Sequence, residues 1–303
     1  MAKSYAKLIF TMLIFGTLAI FVRNITYSSA EIVMFRIILG LIFLFGVWKL
    51  SGKKLNTQAI KANFWRLMLS GFCMGINWAS LFTAYQYVDV SIATLCCYTA
   101  PVFVIIGSVF FLKEKITWSR ILSITGAVTG MIIITGVVMG GTDPMRGIIL
   151  SIVSAIFYGS ITLINKTFKG LDGFEMTFFQ LIGAGIIMIP YALITHSGPW
   201  TAPGTKELIC ILVLGFVHTG FALSVYFSAM RDLPAQSVAL CSYIDPVSTI
   251  IFASIFLGEH LTILQVFGAV LIIGSALFGE LWGQRNKAYA KIKSGEKSYG
   301  KQG

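Results

Sequence analysis

Apolar residues in this chain come in long unbroken runs rather than at the spacing of an amphipathic helix or strand. Ten runs can be marked: 5–22, 32–48, 67–87, 91–112, 118–139, 147–164, 174–194, 208–230, 234–257 and 261–282. Each approaches the roughly 20 residues that a helix needs to cross the hydrocarbon core of a bilayer. A helix of a soluble domain is apolar along one stripe only, whereas these runs are apolar all round. The polar stretches between them are mostly short, the longest being 49–66 and 195–207, so consecutive helices are expected to pack antiparallel. The pattern predicts an all-α integral membrane protein with ten transmembrane helices. The first run has Lys3 and Lys7 before it and Ser28-Ser29-Ala30 after it, a passable signal-peptide outline. Its place in the repeat described below reads instead as a retained span.

Composition agrees. Hydrophobic residues make up 56% of the 303 positions and charged residues 12%, against about 25% charged in soluble domains. The net charge of +11 would suggest a nucleic-acid partner in a soluble protein. Here the basic residues lie between and beyond the apolar runs, with no basic face or stacking module, so no nucleic acid is expected. Placing the N-terminus in the cytoplasm puts 19 of the 23 lysines and arginines on one side, from Lys3 and Lys7 through Lys49, Arg66, Lys113, Lys166 and Arg231 to the tail. Only Arg23, Arg146 and Lys206 fall on the other side, and Arg36 is left inside the second run. By the positive-inside rule both termini are then cytoplasmic and the number of spans is even. The expected location is the cytoplasmic membrane, with multiple passes. Residues 283–303 read as a basic, disordered tail. Cys73, Cys96, Cys97, Cys210 and Cys241 all lie in apolar runs without metal-ligand spacing and read as reduced packing residues.

The two halves of the chain repeat. Leu95-Cys96-Cys97-Tyr98-Thr99-Ala100-Pro101-Val102 aligns with Leu240-Cys241-Ser242-Tyr243-Ile244-Asp245-Pro246-Val247 at an offset of 145. The same register pairs Gly75 with Gly220, Phe82 with Phe227, and Phe111-Leu112-Lys113-Glu114 with Phe256-Leu257-Gly258-Glu259. After a three-residue shift, Gly126-Ala127-Val128 meets Gly268-Ala269-Val270. Weaker echoes pair Arg23 with Lys166 and Glu31 with Glu175. The expected units are residues 1–140 and 146–282. Five spans is an odd number, so the second unit enters the membrane from the opposite side. Inverted repeats of this kind build many secondary transporters, with the solute site near mid-bilayer where the repeats meet.

Candidate chemistry gathers at that meeting point. Pro101 and Pro246 fall near the middle of the fourth and ninth runs. A proline inside a helix removes one hydrogen bond and crowds the preceding turn, so matched breaks predict a central cavity and two hinges. Asp245 is the one acid deep in a run, and its repeat mate is Ala100. A carboxylate inside a bilayer is a functional candidate by default, for a proton, a cationic solute group or a basic side chain. Ser237, Cys241, Ser248 and Thr249 share its helical face. Arg36 is the one base well inside a run. Three roles are open to it: snorkelling towards the interface near Glu31, binding a solute carboxylate, or pairing with Asp245. Gln180 stands near its repeat position. Asn77, Trp78, Tyr85, Tyr98, Tyr158, Tyr226, Tyr243 and His218 are further candidates for the cavity wall, while tyrosines also serve as interfacial anchors. The pairs Gly71/Gly75 and Gly126/Gly130 suit close helix contact. Glu114 and Glu259 end their runs and read as gates, caps or loop anchors.

These residues together resemble the EamA-type branch of the drug/metabolite transporter superfamily. The resemblance spans about residues 7–282. It rests on the five-plus-five pattern, Tyr98-x-x-Pro101 and Tyr243-Ile244-Asp245-Pro246. The Glu114…Gly126-Ala127 and Gly258-Glu259…Gly268-Ala269 segments carry it further, with Phe35 and Arg36. It implies a carrier whose cavity is formed by spans 1–4 and 6–9, with amino acids and related metabolites as solutes and export as the favoured direction. Lys113 in place of glycine, and three extra residues before Gly126, depart from the pattern at the turn between spans 4 and 5.

The expected function is therefore a secondary or facilitative carrier of a small organic solute working by alternating access. Protons are a candidate coupling ion, and the protein would be a monomer or homodimer. No Gly-x-x-x-x-Gly-Lys-Ser/Thr loop is present for ATP, and no His-Glu-x-x-His pair or Gly-x-Ser-x-Gly elbow for an intramembrane enzyme, so no cofactor or metal is expected. The alternative is a channel or a non-transporting receptor or scaffold. Channels favour rings of like residues, and a single asymmetric acid fits that poorly.

Overall fold

The computed structural model describes residues 2–112, 118–136, 142–232, 241–242, 244–275, 277–279 and 281–282. Tyr243, Glu114, Ser237 and the tail 283–303 lie outside them. Among the described residues every regular element is a helix. The order is α1 (Ala2–Gly16), α2 (Leu18–Arg23), α3 (Ser29–Ser51), α4 (Thr57–Ala84), α5 (Val90–Cys97), α6 (Ala100–Leu112), α7 (Trp118–Gly136), α8 (Pro144–Asn165), α9 (Gly173–Thr195) and α10 (Thr205–Leu212). A π-helical stretch, Val213–Ala222, leads into α11 (Leu223–Asp232), which is followed by α12 (Ile244–Leu257) and α13 (Ile263–Gly279).

Six helical segments are long and apolar enough to cross a membrane: Lys3–Arg23, Ser29–Ser51, Thr57–Ala84, Pro144–Asn165, Gly173–Thr195 and Thr205–Tyr226. Val90–Val104, Ile121–Ile133, Ile244–Leu257 and Ile263–Gly279 are shorter apolar helices. The surface is apolar where that of a soluble protein would be polar, and polar side chains are buried beside the apolar core. Phe10, Ile42, Phe110, Ile132, Ile186 and Ile255 are exposed, while Asn63, Asn77, Ser151, Ser154, Gln180 and Thr219 are buried. Large apolar side chains facing outward in such number require lipid, and backbone groups satisfied within helices are what a bilayer tolerates. The protein is a multi-pass membrane protein.

In the interior, α4 packs against α8 and α9, α3 against α9 and the π stretch, α1 against α11 and α12, and α5 against α8 and α12. Small residues permit these approaches, as membrane helices require. A Cβ on Gly71 would stand 2.2 Å from the Gln180 carbonyl oxygen, so α4 and α9 touch backbone to backbone there. A Cβ on Gly220 would meet the Phe43 ring at 2.6 Å, which brings the π stretch hard against α3.

Two capping boxes start α3 and α9. Ser28 with Glu31, and Asp172 with Glu175, exchange side-chain and backbone bonds at the first turn, satisfying donors that a helix start leaves open. Each glutamate also ties down a residue outside its own helix. Glu31 Oε1 takes His196 Nδ1 at 2.5 Å, at the end of α9. Glu175 Oε1 takes the Asn56 N–H at 2.5 Å, at the N-cap of α4. Lys53 adds an ion pair to Asp172 at 2.5 Å. Burial alone would raise the Asp172 carboxyl, but the Lys53 ammonium and the N–H groups of Glu175 and Phe174 outweigh it and hold the carboxyl below its ordinary value.

Candidate functional site

The proline breaks are helix starts rather than mid-helix kinks. The fourth run divides at Tyr98 and Thr99, and α6 begins at Ala100 with Pro101 as its second residue. Pro246 likewise lies in the first turn of α12. Proline is well suited to a first turn, where its missing N–H would have no intrahelical partner. The apolar stretch that holds α5 and α6 is thus broken by a turn at Tyr98 and Thr99, ahead of the proline.

This geometry sets the environment of Asp245, the second residue of α12. Its carboxylate stands at a helix N-terminus, where the aligned peptide dipoles favour negative charge. The Tyr98 hydroxyl, from the break between α5 and α6, donates to Oδ2 at 2.5 Å. Thr249 donates to Oδ1 at 3.4 Å, and the Ser248 hydroxyl donates to the Asp245 carbonyl at 2.9 Å. Among the described residues no basic side chain lies within ion-pair distance of Asp245. Packed helices surround Asp245 and Tyr98, yet both keep part of their surface open, and Tyr158 beside Tyr98 is 36% exposed.

Arg36 does not snorkel towards Glu31, which is engaged by His196, and it does not pair with Asp245. It is 2% exposed. Its Nε donates to Thr219 Oγ1 at 3.0 Å, and Thr219 in turn donates to the Leu214 carbonyl at 2.8 Å. The guanidinium carbon lies 4.1 Å from the centre of the Trp78 ring and 5.2 Å from that of Phe82, a cation over two aromatic faces. Among the described residues Nη1 has no hydrogen-bond partner. The Tyr85 side chain is within electrostatic reach of both Arg36 and Asp245, and its hydroxyl meets Thr94 Oγ1 at 3.5 Å.

The remaining candidates divide. Asn77 bridges α4 to α8, donating to the Ser154 carbonyl at 2.9 Å and to its hydroxyl oxygen at 2.7 Å. Ser154 also meets Cys97 Sγ at 3.4 Å, directly behind Tyr98. Gln180 is buried away from Arg36 and donates to Asn165 Oδ1 at 3.1 Å, where Ser70 also binds. His218 lies in the π stretch with Thr17 Oγ1 at 3.1 Å and the Val213 carbonyl at 3.3 Å. Thr219 and the π-helical widening carry no signature in the sequence. Phe82, a core-like residue by type, also forms part of the Arg36 shelf. Glu259 is a cap: it accepts from the Val90 and Ser91 N–H groups at 2.8 and 3.0 Å and so holds the start of α5. A separate cavity of about 610 Å³ opens between α3, α4, α8 and α9, apolar at Phe72 and Ile76 and polar at Ser29, Thr83 and Gln86. None of the candidate residues lines it.

A multi-pass helical bundle with an acid and a base held in its interior is the frame of a membrane transporter, and the comparisons agree. The model of the EamA-like transporter family matches twice, over residues 3–136 and 145–279. The chain belongs to this family and hence to the drug/metabolite transporter superfamily. It is 29% identical over 276 residues to the uncharacterized transporter YxxF of Bacillus subtilis, covering 89% of this chain and 88% of that one. It is 27% identical over 254 residues to the S-adenosylmethionine uptake transporter of Rickettsia conorii, covering 82% of each. A crystal structure of another protein superposes with a TM-score of 0.66 at 14% identity, over 92% of this chain and 99% of the other, and shares the fold. The protein is a membrane transporter of a small solute.

Proposed function

We propose that the chain is a ten-helix carrier in the cytoplasmic membrane, with both termini cytoplasmic, that moves an amino acid or related metabolite by alternating access. The moving parts are two inverted five-helix units, residues 1–140 and 146–282. The matched capping boxes of α3 and α9, Ser28 with Glu31 and Asp172 with Glu175, support that reading, because repeated units carry like caps at like positions. The interruptions before Pro101 and around Pro246 are the places where backbone can rearrange.

One observation carries the assignment: Asp245, inside the bundle, is held by hydroxyls and a helix start, with no base within ion-pair distance among the described residues. A charge kept in the interior without a permanent ion partner suits an exchangeable one, either a proton or the cationic group of a solute. Tyr98, Tyr158 and Tyr226 are the proposed aromatic lining around it. The S-adenosylmethionine named for the Rickettsia relatives carries an ammonium and a sulfonium, and the same pairing of carboxylate and aromatic rings suits such cations. Export is the direction the family resemblance favours, and the relatives named for uptake make direction a matter for assay.

The test is flux into proteoliposomes loaded with single amino acids or S-adenosylmethionine. A carrier gives saturable uptake that accelerates when unlabelled solute is present on the far side. Flux that rises linearly with concentration and shows no such acceleration overturns the proposal in favour of a channel.

A further inference from the structure

The cavity of about 610 Å³ between α3, α4, α8 and α9 is graded in polarity along its length. Its wall on α4 is Phe72, Ile76, Ala79, Ser80 and Thr83, one face of that helix, and Gln86 continues it past the helix end. The wall is apolar at Phe72 and Ile76 and polar from Ser80 onward. Ser28 and Ser29 at the start of α3, and Thr195 at the end of α9, complete the polar end. At 1.5 Å per residue the stretch from Phe72 to Gln86 is about 20 Å long. One leaflet with its headgroups is about 20 Å thick. The groove therefore has the depth and the polarity profile of a single leaflet. It also opens sideways towards lipid, because Ile187 and Tyr191 in its α9 wall are 40% and 52% exposed.

The polar end carries a positive charge. Arg146 stands one helical turn before Leu150, which lines the groove, on the same face of α8. Its guanidinium carbon lies 4.6 Å from the centre of the Tyr87 ring, and Tyr87 follows Gln86 in the chain. A Cβ on Gly147 would stand 2.7 Å from Val88 and 3.1 Å from Tyr87, so α8 begins hard against the residues that follow α4. Arg146 is exposed, and among the described residues no carboxylate lies within ion-pair distance of it. Asp143 is engaged by the backbone N–H of Arg146, and Glu31 by Ser28 and His196. We infer that this groove seats one anionic phospholipid, its acyl chain along Phe72 and Ile76 and its phosphate beside Arg146. A guanidinium is well matched to a phosphate, because its planar N–H groups meet two oxygens at once. The hydroxyl and amide groups of Ser29, Thr83 and Gln86 suit the ester oxygens between phosphate and chain. The walls come from α3 and α4 on one side and α8 and α9 on the other, so the lipid bridges the two halves of the chain. With both termini cytoplasmic, as proposed above, it belongs to the outer leaflet.

The experiment is native mass spectrometry and thermal shift of purified full-length protein in detergent, titrated with phosphatidylglycerol or phosphatidylcholine of identical acyl chains. The expected result is one phosphatidylglycerol retained per chain and a melting temperature raised by it. It binds about fivefold more tightly than phosphatidylcholine, the worth of one basic residue at a membrane surface. Arg146→Gln, a change at an exposed position, removes that preference and leaves the melting temperature without added lipid unchanged. Ile187→Trp, which fills the groove from its exposed wall, abolishes retention of both lipids. The inference is overturned if the two lipids are held equally, if Arg146→Gln keeps the preference, or if Ile187→Trp keeps the retained lipid. It is also overturned if the groove seats a second copy of the chain, read as a dimer that Ile187→Trp dissociates. Proteoliposome flux is read separately: saturable flux without a retained lipid defeats this inference and spares the carrier reading, and a retained lipid without saturable flux does the reverse.

Discussion

Glu175 and Asp245 are both acids within the helical bundle, and they are held in opposite ways. Glu175 sits at a helix end and takes the backbone N–H groups of Asn56 and Asp172. Glu31 and Glu259 resemble it, tied to helix starts and loop segments. Their partners are fixed in position, so these acids fasten the bundle. Asp245 is held by Tyr98 and Thr249, whose hydroxyls can rotate, and it stands in the first turn of α12 facing the break between α5 and α6. The difference separates charge used to build the molecule from charge left available for exchange. Depth in the membrane alone does not make that distinction. The partner's freedom to let go does.

The contrast can be broken most sharply at Asp245. Asp245→Asn keeps shape and hydrogen bonding but removes the charge, and should lower solute flux about a hundredfold, equivalent to about 2.7 kcal/mol, with the melting temperature little changed. Glu175→Ala should do the reverse. Losing a capping box and a tie between helices costs about 1–3 kcal/mol, read as a fall in melting temperature of about 3–10 °C, with flux per folded molecule retained. A smaller effect is expected at Asn77, whose amide clamps α4 to α8 through Ser154. Asn77→Ala should cost about 0.6–1.7 kcal/mol, as for interhelical hydrogen bonds in membranes, measured by denaturation in detergent. The smallest effect lies at the rim. The Asp172 carboxyl is held below its ordinary value with Lys53 as partner. Its contribution to stability is complete above the ordinary aspartate pKa of about 3.9 and is lost as pH falls through the depressed value. In Asp172→Asn the acid-side decline of melting temperature should be shallower by a degree or two, about what a partly exposed pair allows.

Most of the architecture was legible because lipid imposes a coarse code. The apolar runs point to the six helical segments long enough to cross a membrane and to the shorter apolar helices beside them, and Gly71 marks a close crossing whose partner, the Gln180 carbonyl, no pattern names. Asp245 and Arg36 stand out because charges are rare in such runs. What the sequence does not carry is orientation and partner. Gln180, expected near the repeat position of Arg36, bonds Asn165 instead. Pro101 and Pro246 announce interruptions, but whether a proline bends a helix or begins one depends on the conformation of the residues before it. The ten-residue π stretch is invisible in composition. It widens the helix around His218 and Thr219, whose side chains reach carbonyls five residues back, and it is what brings Thr219 to Arg36.

The most direct measurement is solute counterflow in proteoliposomes, with wild type and Asp245→Asn reconstituted side by side at equal amounts of folded protein. The carrier account predicts saturable counterflow in the wild type and its near-complete loss in the variant, at matching melting temperatures. Undiminished counterflow in Asp245→Asn would contradict it.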